Sequence, residues 1–150
     1  MMDPFETEFR KHRWDRWEYT AGQYASLKSA GIPCRHGVYV VRSPSPLSRV
    51  RGSSNVVYVG QSGGGKRRGR QGIGPGNGGP GRLFNTRGPD KLVREQIESL
   101  FPGQRFSIEC SFVDEDPGVI EQRLLKAYLQ EHFELPPANH NAGVRRIGDE

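Results

Sequence analysis

A glycine-rich stretch that follows an apolar segment contains residues whose types and spacing could bind phosphate. Gly60 to Lys66 reads Gly-Gln-Ser-Gly-Gly-Gly-Lys, which comes close to the phosphate-binding loop of nucleotide hydrolases. That loop needs Ser or Thr after the lysine to bind Mg²⁺, and it must open a helix whose amides hold the phosphates. Here Arg67 follows the lysine, and the next residues are too rich in glycine to form a helix. The sequence therefore excludes a nucleotide hydrolase.

Positive charge is concentrated in one part of the chain, where it could bind a polyanion. The 150 residues include 22 Lys and Arg against 17 Asp and Glu, a formal net charge of +5. Residues 19–89 contain 11 of these basic residues and no acidic residue. Arginine supplies 17 of the 22 cations, and its planar guanidinium suits phosphate. This distribution favours a nucleic acid as the partner over a basic surface that binds nothing.

Composition also limits the class of protein. Twenty glycines, 11 prolines and a mean hydropathy of −0.72 leave room for one small core surrounded by irregular chain. No apolar run approaches the roughly 18 residues of a membrane span, and the first 16 residues are unlike a signal or transit peptide. The two cysteines, Cys34 and Cys110, are too few for a disulfide scaffold or a cysteine-built zinc site. We expect a cytoplasmic, nucleoid-associated protein with no membrane partner.

The pattern of apolar residues predicts six elements and an α+β fold. In chain order they are helix 5–29, strand 37–41, strand 56–59, helix 89–100, strand 105–112 and a helix that Asp116-Pro117 opens and Pro136-Pro137 stops. A turn-rich loop of about 13 residues separates the first two strands. Residues 60–81 hold 11 glycines in 22 positions and are predicted to be a mobile loop. We expect the three strands to form a small mixed or antiparallel sheet flanked by helices.

Two tyrosine tripeptides lie on the first two predicted strands. They are Gly37-Val38-Tyr39 and Tyr58-Val59-Gly60. The pair resembles the GIY-YIG nuclease family, which is named for these tripeptides, and the resemblance extends over residues 36–141. Further positions of the family are matched in order by Arg82 before Leu83, by Glu121 before Leu124 and Leu125, and by Asn139 after Pro136-Pro137-Ala138.

The resemblance implies a DNA endonuclease that hydrolyses phosphodiester bonds with Mg²⁺ or Mn²⁺. Tyr39 would be the general base for water, and Tyr58 would position the scissile phosphate or the water. Glu121 would hold a single divalent cation, Arg82 would clamp the phosphate, and Asn139 would order the site through hydrogen bonds. Because a free phenol has a pKa of about 10, a tyrosine base depends on nearby cations or on metal-bound water.

Several assignments stay open. The spacing of many family members would place the catalytic arginine at Arg67, Arg68 or Arg70 rather than at Arg82, and Asn141 is a rival to Asn139. The alternative function is a nucleic-acid-binding module on the same fold that no longer cuts. DNA contacts are expected along the basic segment 19–89, chiefly from Lys66, Arg67, Arg68, Arg70 and Arg87.

The expected organisation has three parts. An N-terminal helical extension covers residues 1–35, the GIY-YIG-like domain covers residues 36–141, and a polar tail covers residues 142–150. Cutting both strands of DNA would need two active sites, and therefore a homodimer or sequential nicking.

Overall fold

The computed structural model describes residues 3–63, 72–75 and 88–139. The helices are α1 (Pro4–Phe9), α2 (Gly88–Leu100) and α3 (Pro117–His132), and the strands are β1 (Asp15–Thr20), β2 (Gly37–Ser48), β3 (Ser53–Ser62) and β4 (Arg105–Phe112). Short 3₁₀ turns cover Tyr24–Ser29 and Pro137–Asn139. In the described part, no helix is long and apolar enough to cross a membrane.

The strands form one antiparallel sheet in the order β1-β4-β2-β3. The α+β class is as predicted, but the sheet has four strands instead of three. The extra strand, β1, lies within the predicted helix 5–29, so that prediction is wrong. Trp17 and Tyr19 alternate along β1 and stand opposite Ile108 and Phe106 of β4. The apolar pattern that predicted a helix here is incomplete, and pairing with β4 stabilises a strand in this segment instead.

The segment predicted as an N-terminal helical extension is packed into the rest of the fold. Its only α-helix, α1, lies against α3, where the Phe5 ring meets the Tyr128 ring edge-on at 5.9 Å. The Trp14 indole stacks on Phe9 at 4.3 Å, and its N–H donates to the Phe9 carbonyl at 2.7 Å. Residues 3–35 thus contribute to both the helical layer and the sheet.

The β2–β3 hairpin is longer than predicted, because both strands extend into the turn-rich region and leave only residues 49–52 between them. The register shifts at two points along the hairpin. Tyr58 pairs with Val41 and Val56 pairs with Arg42, so Val57 is an extra residue in a β-bulge. Pro44 and Pro46, which have no N–H, lie in the exposed outer part of β2 beyond the first shift.

The other three predicted elements are confirmed. Strand β4 has the predicted bounds, and α2 begins one residue earlier than expected. Asp116 caps α3, and its carboxylate accepts a hydrogen bond from the Gly118 N–H at 2.9 Å. The helix ends at His132, before the two prolines, because Phe133 adopts a left-handed conformation with φ 62°.

The sheet separates two apolar cores. We call them the α2-side core, which includes Tyr19, Tyr39, Val41, Tyr58, Ile97, Phe106, Ile108 and Cys110, and the α3-side core, which includes Phe5, Phe9, Val38, Val40, Val59, Ile120, Leu124, Leu125 and Tyr128. Alternation along β2 and β4 produces this division, since successive side chains of a strand point to opposite faces.

A short piece of the glycine-rich segment is fixed in the α2-side core. The Ile73 N–H donates to the Arg35 carbonyl and the Gly74 N–H to the Pro33 carbonyl, both at 3.0 Å. The Ile73 side chain is fully buried. A Cβ on Gly74 would lie 2.0 Å from the Ile32 carbonyl oxygen, so only glycine permits this approach. The predicted loop over 60–81 is therefore anchored near its middle; residues 64–71 and 76–87 lie outside the described part.

We expect Ile73→Ala to lower the free energy of unfolding by about 2–5 kcal/mol, because it would leave a cavity beneath the anchored segment. The measurement is urea denaturation followed by circular dichroism. Val50→Ala is the control, since Val50 is 68% exposed and its truncation should change stability by no more than about 0.5 kcal/mol. Equal stability of the two variants would mean that residues 72–75 do not pack into the core.

Candidate active site

The two tripeptides bring Tyr39 and Tyr58 together on one face of the sheet. Tyr39 pairs with Gly60 across the hairpin, and Tyr58 pairs with Val41. The two rings are therefore diagonal neighbours, and their centroids lie 5.9 Å apart with an interplanar angle of 42°. Each tyrosine is only 5% exposed. The arrangement places two phenols side by side near the end of the sheet where β2 begins and β3 ends.

The glycines of both tripeptides are required by close contacts. A Cβ on Gly60 would lie 2.5 Å from Cζ of Tyr39 and 2.7 Å from Cε2 of Tyr58. A Cβ on Gly37 would lie 2.3 Å from the Ser111 carbonyl oxygen. Gly60 thus forms the floor under both rings, while Gly37 lets β2 approach the backbone of β4.

Asn139 closes the outer edge of β3 beside the tyrosines. Its side-chain oxygen accepts a hydrogen bond from the Val59 N–H at 2.8 Å, and its amide nitrogen donates to the Val59 carbonyl at 2.9 Å. The side-chain amide therefore makes the two hydrogen bonds that a residue of a neighbouring strand would make at this edge. Val59 stands between Tyr58 and Gly60, so the bonds fix the backbone that carries one ring and supports both.

The chain reaches Asn139 by passing around the edge of the sheet. Leu135 belongs to the α3-side core, and Ala138 belongs to the α2-side core. The Asn139 N–H donates to the Pro136 carbonyl at 2.9 Å within this turn. The segment after α3 therefore passes from the α3-side core to the α2-side core and places Asn139 beside the tyrosines.

Glu121 lies on α3, at the same end of the sheet as the tyrosines but in the other layer. Pro117 at the start of α3 lines a cavity of about 170 Å³ together with His36 before β2 and Gly63 after β3. Glu121 follows one turn later, next to Ile120 of the α3-side core, and is only 1% exposed. Glu121 thus belongs to the helix of the α3-side layer, whereas the tyrosine rings belong to the α2-side core.

The donor present at Glu121 fits a hard divalent cation. Of the acidic side chains whose burial the structure describes, Glu121 is the one that is buried. Mg²⁺ commonly takes one or two carboxylates, with water and substrate oxygens as the remaining ligands. The described residues contain no cluster of three or more His, Cys, Asp or Glu suited to a metal, so a cation here would depend chiefly on Glu121.

Other reactive groups on the tyrosine face are held in neutral form. Cys110 stands directly opposite Tyr39 in the β2–β4 register. Burial raises the pKa of the Cys110 thiol well above its usual value, and the carboxylates of Asp15 and Glu109 raise it further. Burial likewise raises the pKa of Tyr19. A protonated, fully buried thiol is a poor nucleophile, so these two side chains serve packing.

Three arginines of the basic segment make contacts within the protein, although Arg51 is also exposed to solvent. Arg42 is paired with Glu109 and with the Asn55 side chain, and it lies 4.9 Å from the Phe9 ring centroid. Arg49 contacts the Glu134 carboxylate at 2.9 Å and the Leu135 carbonyl at 2.6 Å. Arg51 donates to the carbonyls of Gln130 and Glu131. These contacts join parts of the fold, and DNA binding through the basic segment 19–89 stays a prediction.

Some of the residues singled out in the sequence lie outside the described part of the chain. They are Lys66, Arg67, Arg68, Arg70, Arg82, Arg87 and Asn141. The assignment of the catalytic arginine stays a prediction for this reason. Sequence reasoning missed that the backbone of Val59 is the partner of Asn139 and that Gly60 must lack a side chain. The second could have been found from its place directly across from Tyr39 in a tight hairpin.

Comparisons with protein-family models, with curated proteins and with solved structures gave no match for this chain. Its function is therefore inferred from its own residues and their arrangement.

We expect Asn139→Ala to destabilise the fold by about 1–3 kcal/mol for each backbone group of Val59 that it leaves unpaired. Amide hydrogen exchange at Val59 should accelerate by at least tenfold relative to Val40, which lies in the interior of the sheet. Urea denaturation gives the stability. Unchanged exchange at Val59 would show that the Asn139 amide is not the partner that protects this edge.

Proposed function

We propose that this protein is a metal-dependent DNA endonuclease of the GIY-YIG type that hydrolyses phosphodiester bonds. The observation that supports this most is the juxtaposition of Tyr39 and Tyr58 over Gly60. Gly60 contacts both rings closely, and this contact fixes the two hydroxyl-bearing side chains next to each other at one end of the sheet. The resemblance in sequence and this arrangement point to the same pair of residues.

In the proposed reaction Tyr39, in its ionised form, accepts the proton of the attacking water. The water oxygen forms a bond to phosphorus while the ester bond to the leaving oxygen breaks, and the leaving oxygen takes a proton from solvent. Tyr58, whose ring is 5.9 Å away, would orient the phosphate or the water through its hydroxyl. Asn139 keeps the two rings in place because it fixes the backbone of Val59 between Tyr58 and Gly60.

Glu121 is the proposed ligand of a single Mg²⁺ or Mn²⁺. When bound, such a cation would neutralise charge that develops on the phosphate oxygens. The Glu121 carboxylate would hold it at the end of the sheet where the tyrosines lie. Arg82 is the proposed clamp for the phosphate, since a guanidinium can bind two phosphate oxygens at once.

The proposed catalytic side chains are almost completely buried, since Tyr39 and Tyr58 are 5% exposed and Glu121 is 1% exposed. The expected DNA contacts are Lys66, Arg67, Arg68, Arg70 and Arg87, since Arg42, Arg49 and Arg51 are engaged within the fold. DNA binding should therefore weaken steeply as salt concentration rises.

We expect Glu121→Gln to abolish Mg²⁺-dependent nicking of supercoiled plasmid while DNA affinity changes less than threefold. The amide keeps the size of the side chain but removes the charge that would hold the cation. The assay compares plasmid cleavage with and without Mg²⁺, and fluorescence anisotropy measures DNA affinity.

Glu95→Gln is the matched control, because Glu95 is exposed on α2 and pairs with Lys91 at 3.6 Å. It should cleave like the wild-type protein. If the wild-type protein binds DNA but does not cut it with Mg²⁺ or Mn²⁺, the alternative of a non-cutting nucleic-acid-binding module is favoured. Cleavage that survives in Glu121→Gln would remove Glu121 from the metal site.

We expect Tyr39→Phe to reduce the single-turnover cleavage rate by about 10²–10⁴-fold, the usual contribution of a general base. Tyr58→Phe should reduce it less, because Tyr58 positions groups and exchanges no proton. Tyr19→Phe is the control, since Tyr19 is equally buried on the same face. A larger loss at Tyr58 than at Tyr39 would reverse the two roles.

A further inference from the structure

The outer edge of β1 presents unpaired backbone groups of two oppositely charged residues. The Ala21 N–H donates to the Gln104 carbonyl at 2.8 Å, and the same register places Tyr19 opposite Phe106 and Trp17 opposite Ile108. In an antiparallel ladder the N–H and C=O of alternate residues point to the same side. The odd-numbered residues of β1 therefore bond to β4, and the backbone groups of Arg16 and Glu18 point outward.

The side chains of this edge are accessible. Those of Arg16 and Glu18 are 60% and 41% exposed and lie on the same face of the strand, 3.9 Å apart. Within residues 3–63, 72–75 and 88–139, no hydrogen bond satisfies the outward N–H or C=O of either residue. The edge at β3 differs, because there the Asn139 amide forms hydrogen bonds with both the N–H and the carbonyl of Val59. Within the described part of the chain, β1 is therefore the edge of the sheet whose outward backbone groups are unpaired, and it can accept a further strand.

We propose that β1 pairs in antiparallel orientation with β1 of a second copy of this chain, about a two-fold axis at Trp17. Arg16 then stands opposite Glu18 of the partner subunit, and each of these pairs exchanges two backbone hydrogen bonds. The same contact is repeated on the other side of the axis by symmetry. Two four-stranded sheets would thus join into one continuous sheet of eight strands.

Charge selects this register over its neighbours. A shift of two residues in either direction would place Arg16 opposite Arg16 of the partner subunit, or Glu18 opposite Glu18 of the partner subunit, and like charges directly opposite destabilise a sheet. A shift of one residue would set outward backbone groups against inward ones and form no ladder. The sequence of β1 therefore disfavours indiscriminate edge pairing and permits one complementary pairing.

Trp17 adds an apolar contact at the axis. Its side chain lies on the α2-side face, where it is partly buried and meets the Phe112 ring edge-on at 6.5 Å. In the proposed dimer the two Trp17 residues face each other as a non-hydrogen-bonded pair, the closer of the two kinds of cross-strand pair. Aromatic pairs at such positions stabilise a sheet.

The dimer does not depend on the proposed nuclease function. The tyrosines lie on β2 and β3, and β4 separates β1 from β2. The assay of the dimer needs neither DNA nor metal, so it can fail or succeed independently of the cleavage experiments.

The test is sedimentation velocity over a wide range of protein concentration. The wild-type protein should show a reversible monomer–dimer equilibrium. Arg16→Glu and Glu18→Arg should each raise the dimer dissociation constant by at least tenfold, because each variant sets like charges opposite each other. An equimolar mixture of the two variants should recover the dimer, since both cross-strand pairs in the mixed dimer are again complementary. Lys91→Glu is the control for charge reversal on an exposed helix and should dimerise like the wild-type protein.

A backbone variant tests the hydrogen bonds directly. Glu18→Pro removes an N–H that points away from β4, a position where edge strands accept proline. It should remain folded by circular dichroism and become monomeric. Glu18 also lies 3.4 Å from Arg105 in the same chain, so this variant separates loss of the interface from local charge repulsion in Glu18→Arg. A wild-type protein that stays monomeric at all concentrations, or variants that dimerise as it does, would overturn the proposal.

Discussion

Antiparallel pairing directs the backbone hydrogen bonds of alternate residues to opposite sides of each strand, and the rest of this structure depends on this alternation. The alternation continues from Ala21, which lies opposite Gln104, through β4 and β2 to Val59 on the far edge. It also decides which side chains share a face. Tyr39 and Tyr58 meet over Gly60 because their residues occupy one face of the hairpin, and Val59 points its backbone groups outward because its neighbours point theirs inward.

The two edges of the sheet illustrate how this constraint is met by different side chains. At β3 the open N–H and C=O are satisfied by one amide, and that amide is brought there by the turn after α3. The two hydrogen bonds fix Val59, which stands between Tyr58 and Gly60, and they therefore hold the backbone of the candidate site in place. At β1 the exposed edge carries an arginine and a glutamate in alternate positions, so opposite charges would face each other if the edge paired with itself about Trp17.

The charges of the chain are likewise divided between structure and surface. Arg49 and Arg51 hold the hairpin turn against the end of α3 through its carbonyls and Glu134, and Arg42 joins the hairpin to β4 and α1. A guanidinium group suits these contacts because it has several N–H donors that point in fixed directions. Some cations of a basic segment thus build the fold, and composition alone does not separate them from the others.

The sequence by itself determined the α+β class, the strand over residues 105–112, the helix that Asp116 caps and the presence of two tyrosine strands. These features depend on local signals, namely alternation, capping and short apolar runs, that no distant contact overrides. Tertiary structure decided the rest. Residues 15–20 became a strand because β4 offered a partner, and residues 72–75 entered the core because Gly72 and Gly74 allow backbone to approach residues 32–35. The burial of Glu121, the contact of Asn139 with Val59 and the floor at Gly60 also depend on packing between segments far apart in the chain, which a local pattern does not encode.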